Sequence, residues 1–192
     1  NILKRYIRDY GENENINRAV QVLEHAKREA LATQDKTTLI GYRGMASNAY
    51  FEVLPVLILN QKADFPFHGR NRRPPKDAVN AMLSFAYTLI ANDTSAALET
   101  VGLDPYVGFL HTLRPGRTSL ALDMMEELRA YLGDRFVLSL INKRQITSKD
   151  FLFQGDNGVV MTDKGKKTFI SAWQARKREV IIHPYLNEKI EI

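Results

Sequence analysis

KDAVNAMLSFAYTLIA, residues 76–91, is the stretch that decides the fold. Its apolar residues (Ala78, Val79, Ala81, Met82, Leu83, Phe85, Ala86, Leu89 and Ile90) leave almost no polar side. A helix apolar on most sides has to be central and buried. Pro75 suits the first turn of that helix. Working outward, the rest of the chain supplies amphipathic helices to surround it. Glu14 to Ala32 carries Ile16, Val20, Leu23, Ala30 and Leu31 at helical spacing, with Asn13 as cap. Thr38 to Leu54 repeats the signal with Leu39, Tyr42, Ala46, Ala49, Tyr50 and Val53, and Pro55 should kink or stop it.

C-terminal to the central helix, Asp93 can cap a further turn that ends at Gly102. Ser119 to Leu132 reads as another helix, closed by Gly133, and Asp134 opens the next, to about Lys143. Phe151 to Phe153 and Val159 to Met161 flank GDNG, a turn sequence, so a small β-hairpin is expected there. A long basic helix follows from about Asp163 to Ile182. The expectation is one mainly α domain with one small hairpin.

Composition sets the outer limits. The chain has 192 residues, 44% apolar and 26% charged, enough for one domain with a sizeable core. No apolar run approaches the roughly 20 residues of a membrane span; the longest, Val53 to Leu59, is broken by Pro55. Without a signal-peptide pattern, the expected compartment is the cytoplasm. The absence of cysteine removes disulfides, thiolate metal sites and cysteine nucleophiles. A net charge of +5, from 27 basic against 22 acidic residues, favours an anionic partner, nucleic acid first. Opening on Asn1 rather than methionine, the chain reads as a piece of something longer.

The richest stretch chemically is GLDPYVGFLHTLRPGRTSLALDMMEELR, Gly102 to Arg129. His111 falls on a loop, and Asp123, Glu126 and Glu127 on the helix that follows. Residues three or four apart share a helix face, so Asp123 and Glu126 project together, leaving Leu122, Met125 and Leu128 for the core. One imidazole with one or two carboxylates suits Mg²⁺ or Mn²⁺ acting on a phosphodiester. Arg114 and Arg117, between the candidate ligands, are placed to hold phosphate oxygens. The spacing alone more commonly describes a solvated helix face with a nearby histidine.

The same stretch closely resembles the CRISPR adaptation integrase family, the first and universal CRISPR-associated protein. The resemblance extends through FHGRNRRPPKDAVNAMLSFAYTLIANDTSAALETVGLDPYVGFLH (67–111), DRFVLSLINKR (134–144) and TFISAWQARKREVIIHPYL (168–186). It is nearest to the type I-C subtype. It implies a two-lobed protein in which residues 1–192 are the C-terminal helical catalytic lobe and an N-terminal β-rich lobe lies outside the chain. It implies an endonuclease and integrase that uses Mg²⁺ or Mn²⁺. The 3′-OH of spacer DNA would attack a phosphodiester at the edge of the CRISPR repeat, by direct transesterification. It also implies double-stranded DNA as partner and a homodimer in the full-length form. Two such dimers would flank the small second CRISPR-associated protein, with the CRISPR-associated exonuclease of spacer processing as a further partner.

Carried over onto this chain, the resemblance gives His111 and Glu126 as metal ligands and Asp123 as the acid one turn before. The family's remaining ligand is a glutamate in the pattern R-G-aromatic-E-G-x-A-A. Here the segment reads LIGYRGMAS, 39–47, and Arg43 stands at the glutamate's position. Arginine stays protonated and offers a cation no lone pair. Arg43 is expected to pair with Asp123 and Glu126 instead, which puts metal-dependent catalysis in doubt. Three readings stay open: an engineered substitution, a natural loss in a homologue that binds DNA or partner proteins without chemistry, or a local shift in the match to the family's pattern, with another acid such as Glu52 serving. Glu52 lies nine residues on, roughly 13 Å along a helix, which argues against it.

The resemblance also marks the loop DFPFHGRNRRPP, 64–75, where His68, Arg70, Arg72 and Arg73, with Lys76, make the densest basic cluster. They are expected to grip DNA phosphates, against the plainer reading of a solvated loop whose arginines cap helix ends. Tyr87, on the central helix with Asn80, is a candidate DNA contact or a core aromatic. Trp173 among Arg176, Lys177 and Arg178 is either a stacking platform or, more ordinarily, a core tryptophan. His25 and His183 read as structural.

Overall fold

The computed structural model describes residues 2–182 and 187–191, so His183 lies outside the described residues. It is helical, with two small hairpins. Helices α1 (Ile2–Tyr10), α2 (Glu14–Ala32) and α3 (Lys36–Val53) come first, then a 3₁₀ turn over Leu54–Leu57. The central α4 (Ala78–Thr100) follows, then α5 (Ser119–Leu128) and α6 (Arg135–Asn142). Strands β1 (Phe151–Phe153) and β2 (Val159–Met161) pair antiparallel, α7 (Asp163–Lys177) packs behind them, and β3 (Val180–Ile182) pairs with β4 (Lys189–Glu191).

The helix starts follow local chemistry. Asn13, Asp35, Asp77 and Thr162 each accept a backbone N–H from the first turn of α2, α3, α4 and α7. Pro55 does stop α3, at Val53, and begins the 3₁₀ turn. The central helix is buried as its composition demands: Val79, Met82, Leu83, Ala86 and Ile90 are all at most 1% exposed. An aromatic chain locks α6 and α7 onto it. Phe85, Phe169, Phe136 and Trp173 lie ring to ring at 5.1, 5.0 and 5.3 Å. Trp173 is thus a core residue, 2% exposed, with its indole N–H reaching Asp93, and its ring is not free to stack on a nucleobase.

The structure departs from the sequence reading at five places. Residues 2–10 form α1, which packs Leu3 into the core. The central helix begins at Ala78 and runs unbroken to Thr100, so Asp93 caps nothing and instead takes Trp173 and Lys177. Gly102, at φ +78°, then ends it: Leu103 N bonds Leu98 O at 2.9 Å and Gly102 N bonds Glu99 O at 3.0 Å. Gly133 does not close a helix; α5 passes into α6 through a π-helical turn over Arg129–Asp134. Leu128 is exposed rather than core. The basic helix ends at Lys177, because the chain turns into the β3–β4 hairpin, which the sequence pattern did not announce.

Candidate nucleic-acid site

The site is built where α5 and the π turn pass the α2–α3 hairpin and α4. Asp123, in α5, is buried beneath the loop that precedes its own helix. Its Oδ2 accepts the backbone N–H of Phe109 (2.7 Å) and Leu110 (2.8 Å). Its Oδ1 accepts that of His111 (2.9 Å) and meets the His111 ring at Nδ1 (2.6 Å). Burial pushes this carboxyl up, and the bonds from Leu110, the His111 ring and backbone, and Phe109 more than reverse that, leaving it below the usual carboxylate range. Gly108 makes the approach possible: a Cβ there would lie 2.6 Å from Ser119 Cβ and 2.8 Å from Asp123 Oδ2.

Glu126, one turn on, faces elsewhere. Its carboxylate pairs with Arg43, 83 residues away on α3, and with Arg129, whose Nη1 lies 3.0 Å from Oε2. Arg43 therefore does pair with an acid, but with Glu126 alone, since Asp123 is taken up by the loop. Arg129 and Arg70 lie against the ring of Tyr87, each 5.3 Å from its centroid. The Tyr87 hydroxyl donates to Asp134, which burial holds above the usual carboxylate range despite the neighbouring Tyr87 and Arg129. Burial likewise pushes the Tyr87 hydroxyl well up. Gly133 seats the ring, because a Cβ there would lie 2.9 Å from Tyr87 Cε1.

The basic loop splits into an inward and an outward part. Arg70 folds in, donating to Asn80 Oδ1 (2.7 Å) and Ser84 Oγ (3.0 Å). Asn80, fully buried, also accepts Asn71 N (3.0 Å) and donates to Gly69 O (2.9 Å), so it pins the loop. His68, Arg72, Arg73 and Lys76 remain exposed. His68, Arg70 and Arg72 line an open cleft of about 640 Å³ against Asn48, Phe51 and Glu52 of α3. Glu52 therefore belongs to this cleft and not to the Glu126 cluster. Arg114 is exposed and Arg117 half-buried, in the loop after His111.

Arg129, Asp134 and Tyr50 were not singled out from sequence. The hydroxyl of Tyr50 is buried and, among the described residues, makes no hydrogen bond of ordinary geometry. No local signal marks these residues as a group, since the π turn that assembles them has no sequence signature here. His25 lies edge-on to Tyr42, 6.4 Å between ring centres, and has no part in the site.

The residues present do not fit a divalent cation. Both oxygens of Asp123 are already hydrogen-bonded, and Glu126 is held by two guanidinium groups. A dication about 4 Å from one guanidinium is repelled by roughly 8 kcal/mol at an effective dielectric of about 20. Among the described residues, no three His, Asp or Glu side chains converge as metal ligands.

Comparison with known proteins gives a consistent picture. The family model described as "CRISPR associated protein Cas1" matches residues 1–175. A protein named CRISPR-associated endonuclease Cas1 1, from Chlorobaculum tepidum, is 48% identical over 193 residues, covering 99% of this chain and 56% of that protein. Among solved structures, a CAS1 protein from Thermotoga maritima superposes with a TM-score of 0.80 at 27% identity, covering 99% of this chain and 57% of that one. A partial Cas6-RT-Cas1–Cas2 complex shares the fold, with a TM-score of 0.82 at 23% identity over 92% of this chain and 53% of that one. The chain spans about half the length of the first curated relatives it matches.

Proposed function

The chain belongs to the CRISPR-associated Cas1 family, and on that premise we propose that it binds double-stranded DNA in CRISPR adaptation without itself carrying out metal-dependent strand chemistry. The observation that carries this reading is the Arg43–Glu126 pair, reinforced by Arg129. A guanidinium stands where the family's resemblance calls for a metal-binding glutamate, and it neutralises the acid that would share the ion. What remains is a cationic surface for phosphates. His68, Arg72, Arg73, Lys76, Arg114 and Arg117 are its direct contacts. Arg70 and Tyr87 are half-buried in the network beneath and position it.

In this reading residues 1–192 act as the helical lobe of a longer, cytoplasmic protein that also has a β-rich lobe. No helix among the described residues is long and apolar enough to cross a membrane. The whole protein would dimerise, flank the small second CRISPR-associated protein with its duplex DNA, and work alongside the exonuclease of spacer processing. A structural neighbour described as a partial Cas6-RT-Cas1–Cas2 complex supports the first of these partners, and an exonuclease Cas4/endonuclease Cas1 fusion in Geobacter sulfurreducens supports the second.

A second reading keeps the catalytic step: an integrase and endonuclease using Mg²⁺ or Mn²⁺ at His111 and Glu126, supported by Asp123. One observation favours it. Asp123 holds Nδ1 of His111, leaving Nε2 as the ring nitrogen free to take a ligand. Asp123 would then orient the histidine rather than bind the ion.

Strand joining separates the two readings. In the whole protein with Mn²⁺ or Mg²⁺, we expect the chain as it stands to bind spacer and repeat DNA but not join them. The Arg43→Glu variant is expected to join them. Metal-dependent joining by the unaltered protein overturns the binding-only reading. Joining by neither form sinks the assignment of His111 and Glu126.

A further inference from the structure

Glu126 is gripped from two sides, and neither arginine spends its whole guanidinium group on it. Arg43, from α3, reaches the carboxylate through Nη2, and Arg129 reaches it through Nη1. A guanidinium carries several N–H donors in a flat fork. Among the described residues Arg43 bonds only Glu126, so most of its fork is left over. The Arg43 side chain is 36% exposed, against 16% for Arg129, which leaves those spare donors open to solvent. The charges do not cancel either. Even with buried Asp134 included, the three guanidinium groups of Arg43, Arg70 and Arg129 stand against two carboxylates.

The surface beside Arg43 is bare. Gly41 and Gly44 lie within α3, where glycine weakens a helix. Neither has a positive φ, and a Cβ at either would meet nothing within 4 Å. Glycines that make no turn and relieve no internal crowding leave room for something outside the chain. Gly41, Gly44 and Asn48 follow one another at three- and four-residue spacing, along one face of the helix. Asn48 lines the open cleft that also holds His68, Arg70 and Arg72. So does Ser47, one turn on from Arg43 and about 6 Å along the helix axis. The Arg43 fork and the basic cleft therefore lie on one path along α3, which suits a polyanionic strand.

We infer that the Arg43 fork, backed by Arg129 across Glu126, is a built-in phosphodiester site that holds a phosphate of the bound DNA without a metal ion. Guanidinium and phosphate match in bidentate geometry, and a group that never deprotonates stays cationic unaided. Glu126 then orients the fork and also weakens it, because its charge opposes that of the phosphate. Removing this carboxylate strengthens DNA binding, the reverse of what the loss of a metal ligand would do. The inference deepens the DNA-binding reading above and rests on it.

The test measures the affinity of the whole protein for a duplex DNA probe over a salt series. Each series is run in a metal chelator and again with Mg²⁺ at matched ionic strength. We expect the unaltered protein to bind equally well in both. Arg43→Gln is expected to weaken binding roughly ten- to hundredfold and to lower the slope of log affinity against log salt by about one. Arg43→Lys, a point charge without the fork, should keep the slope and recover only part of the affinity. Glu126→Gln should bind more tightly than the unaltered protein. The double variant R43Q/E126Q keeps the unaltered net charge and should still bind more weakly, because the fork and not the bulk charge makes the contact. The inference is overturned if the chelator abolishes binding by the unaltered protein, or if Arg43→Gln keeps both affinity and slope. Weaker binding by Glu126→Gln overturns it too. If the unaltered protein binds no DNA at any salt, with or without metal, the DNA-binding reading itself fails first.

Discussion

Two loops, each leading into a helix, use the same anchor and reach opposite results. The loop over 64–77 enters α4 and is held by Asn80, three residues into that helix. The loop over 101–118 enters α5 and is held by Asp123, five residues into that one. In the first, Phe65 and Phe67 are buried and Arg70 is drawn into the network around Tyr87. In the second, Tyr106 and Phe109 face solvent. The anchors differ in kind. An amide accepts and donates, so Asn80 can tie both an N–H and a carbonyl of its loop. A carboxylate only accepts, so Asp123 gathers three N–H groups and an imidazole, while the Phe109 side chain stays outward. The first loop completes the core; the second is stiffened without being covered.

That contrast can be broken most sharply at Phe67. Phe67→Ala removes a buried ring that lies 6.1 Å from Phe51, and should destabilise the fold by about 3–5 kcal/mol in chemical denaturation. A loss under about 1 kcal/mol would mean the first loop is as detachable as the second.

Asp123→Asn is the next largest, at roughly 1–3 kcal/mol near neutral pH, because an amide N–H must then face a backbone donor. The effect has a predicted pH dependence. The folded-state carboxyl sits below its unfolded value, so its contribution is present above about pH 4 and is lost as pH falls below that. The stability gap between the two proteins should therefore narrow in acid. A gap that stays constant down to about pH 2 would show that the charge of Asp123 is not what holds the loop.

The smallest effect sharpens the comparison instead. Phe109→Ala should change stability by no more than about 0.5 kcal/mol, since the ring is exposed and the backbone bonds remain. A larger loss would mean that Phe109 packs as Phe67 does.

The apolar periodicity of α2, α3 and α4, the prolines that end α3 and precede α4, and the GDNG hairpin were legible because each is local: a face, a cap or a turn is encoded within a few residues. So was the company of motifs that places the chain in its family, His111, Asp123 and Glu126 among them. Two features were missed for different reasons: α1 carries Ile2, Leu3, Tyr6, Ile7 and Tyr10 at helical spacing, a local signal that was passed over, whereas the π turn at Arg129–Asp134 has no local mark and overrides a glycine that normally ends a helix.

Helical spacing put Asp123 and Glu126 on one face but could not say what stands opposite. Sequence by itself determined a central apolar helix, a basic loop, and the helix that carries Arg43. Only the tertiary structure decided that Asp123 turns to its loop while Glu126 is gripped by Arg43 and Arg129. The reason is physical. Periodicity fixes directions about one helix axis, whereas pairing charges 83 residues apart depends on how separate helices pack.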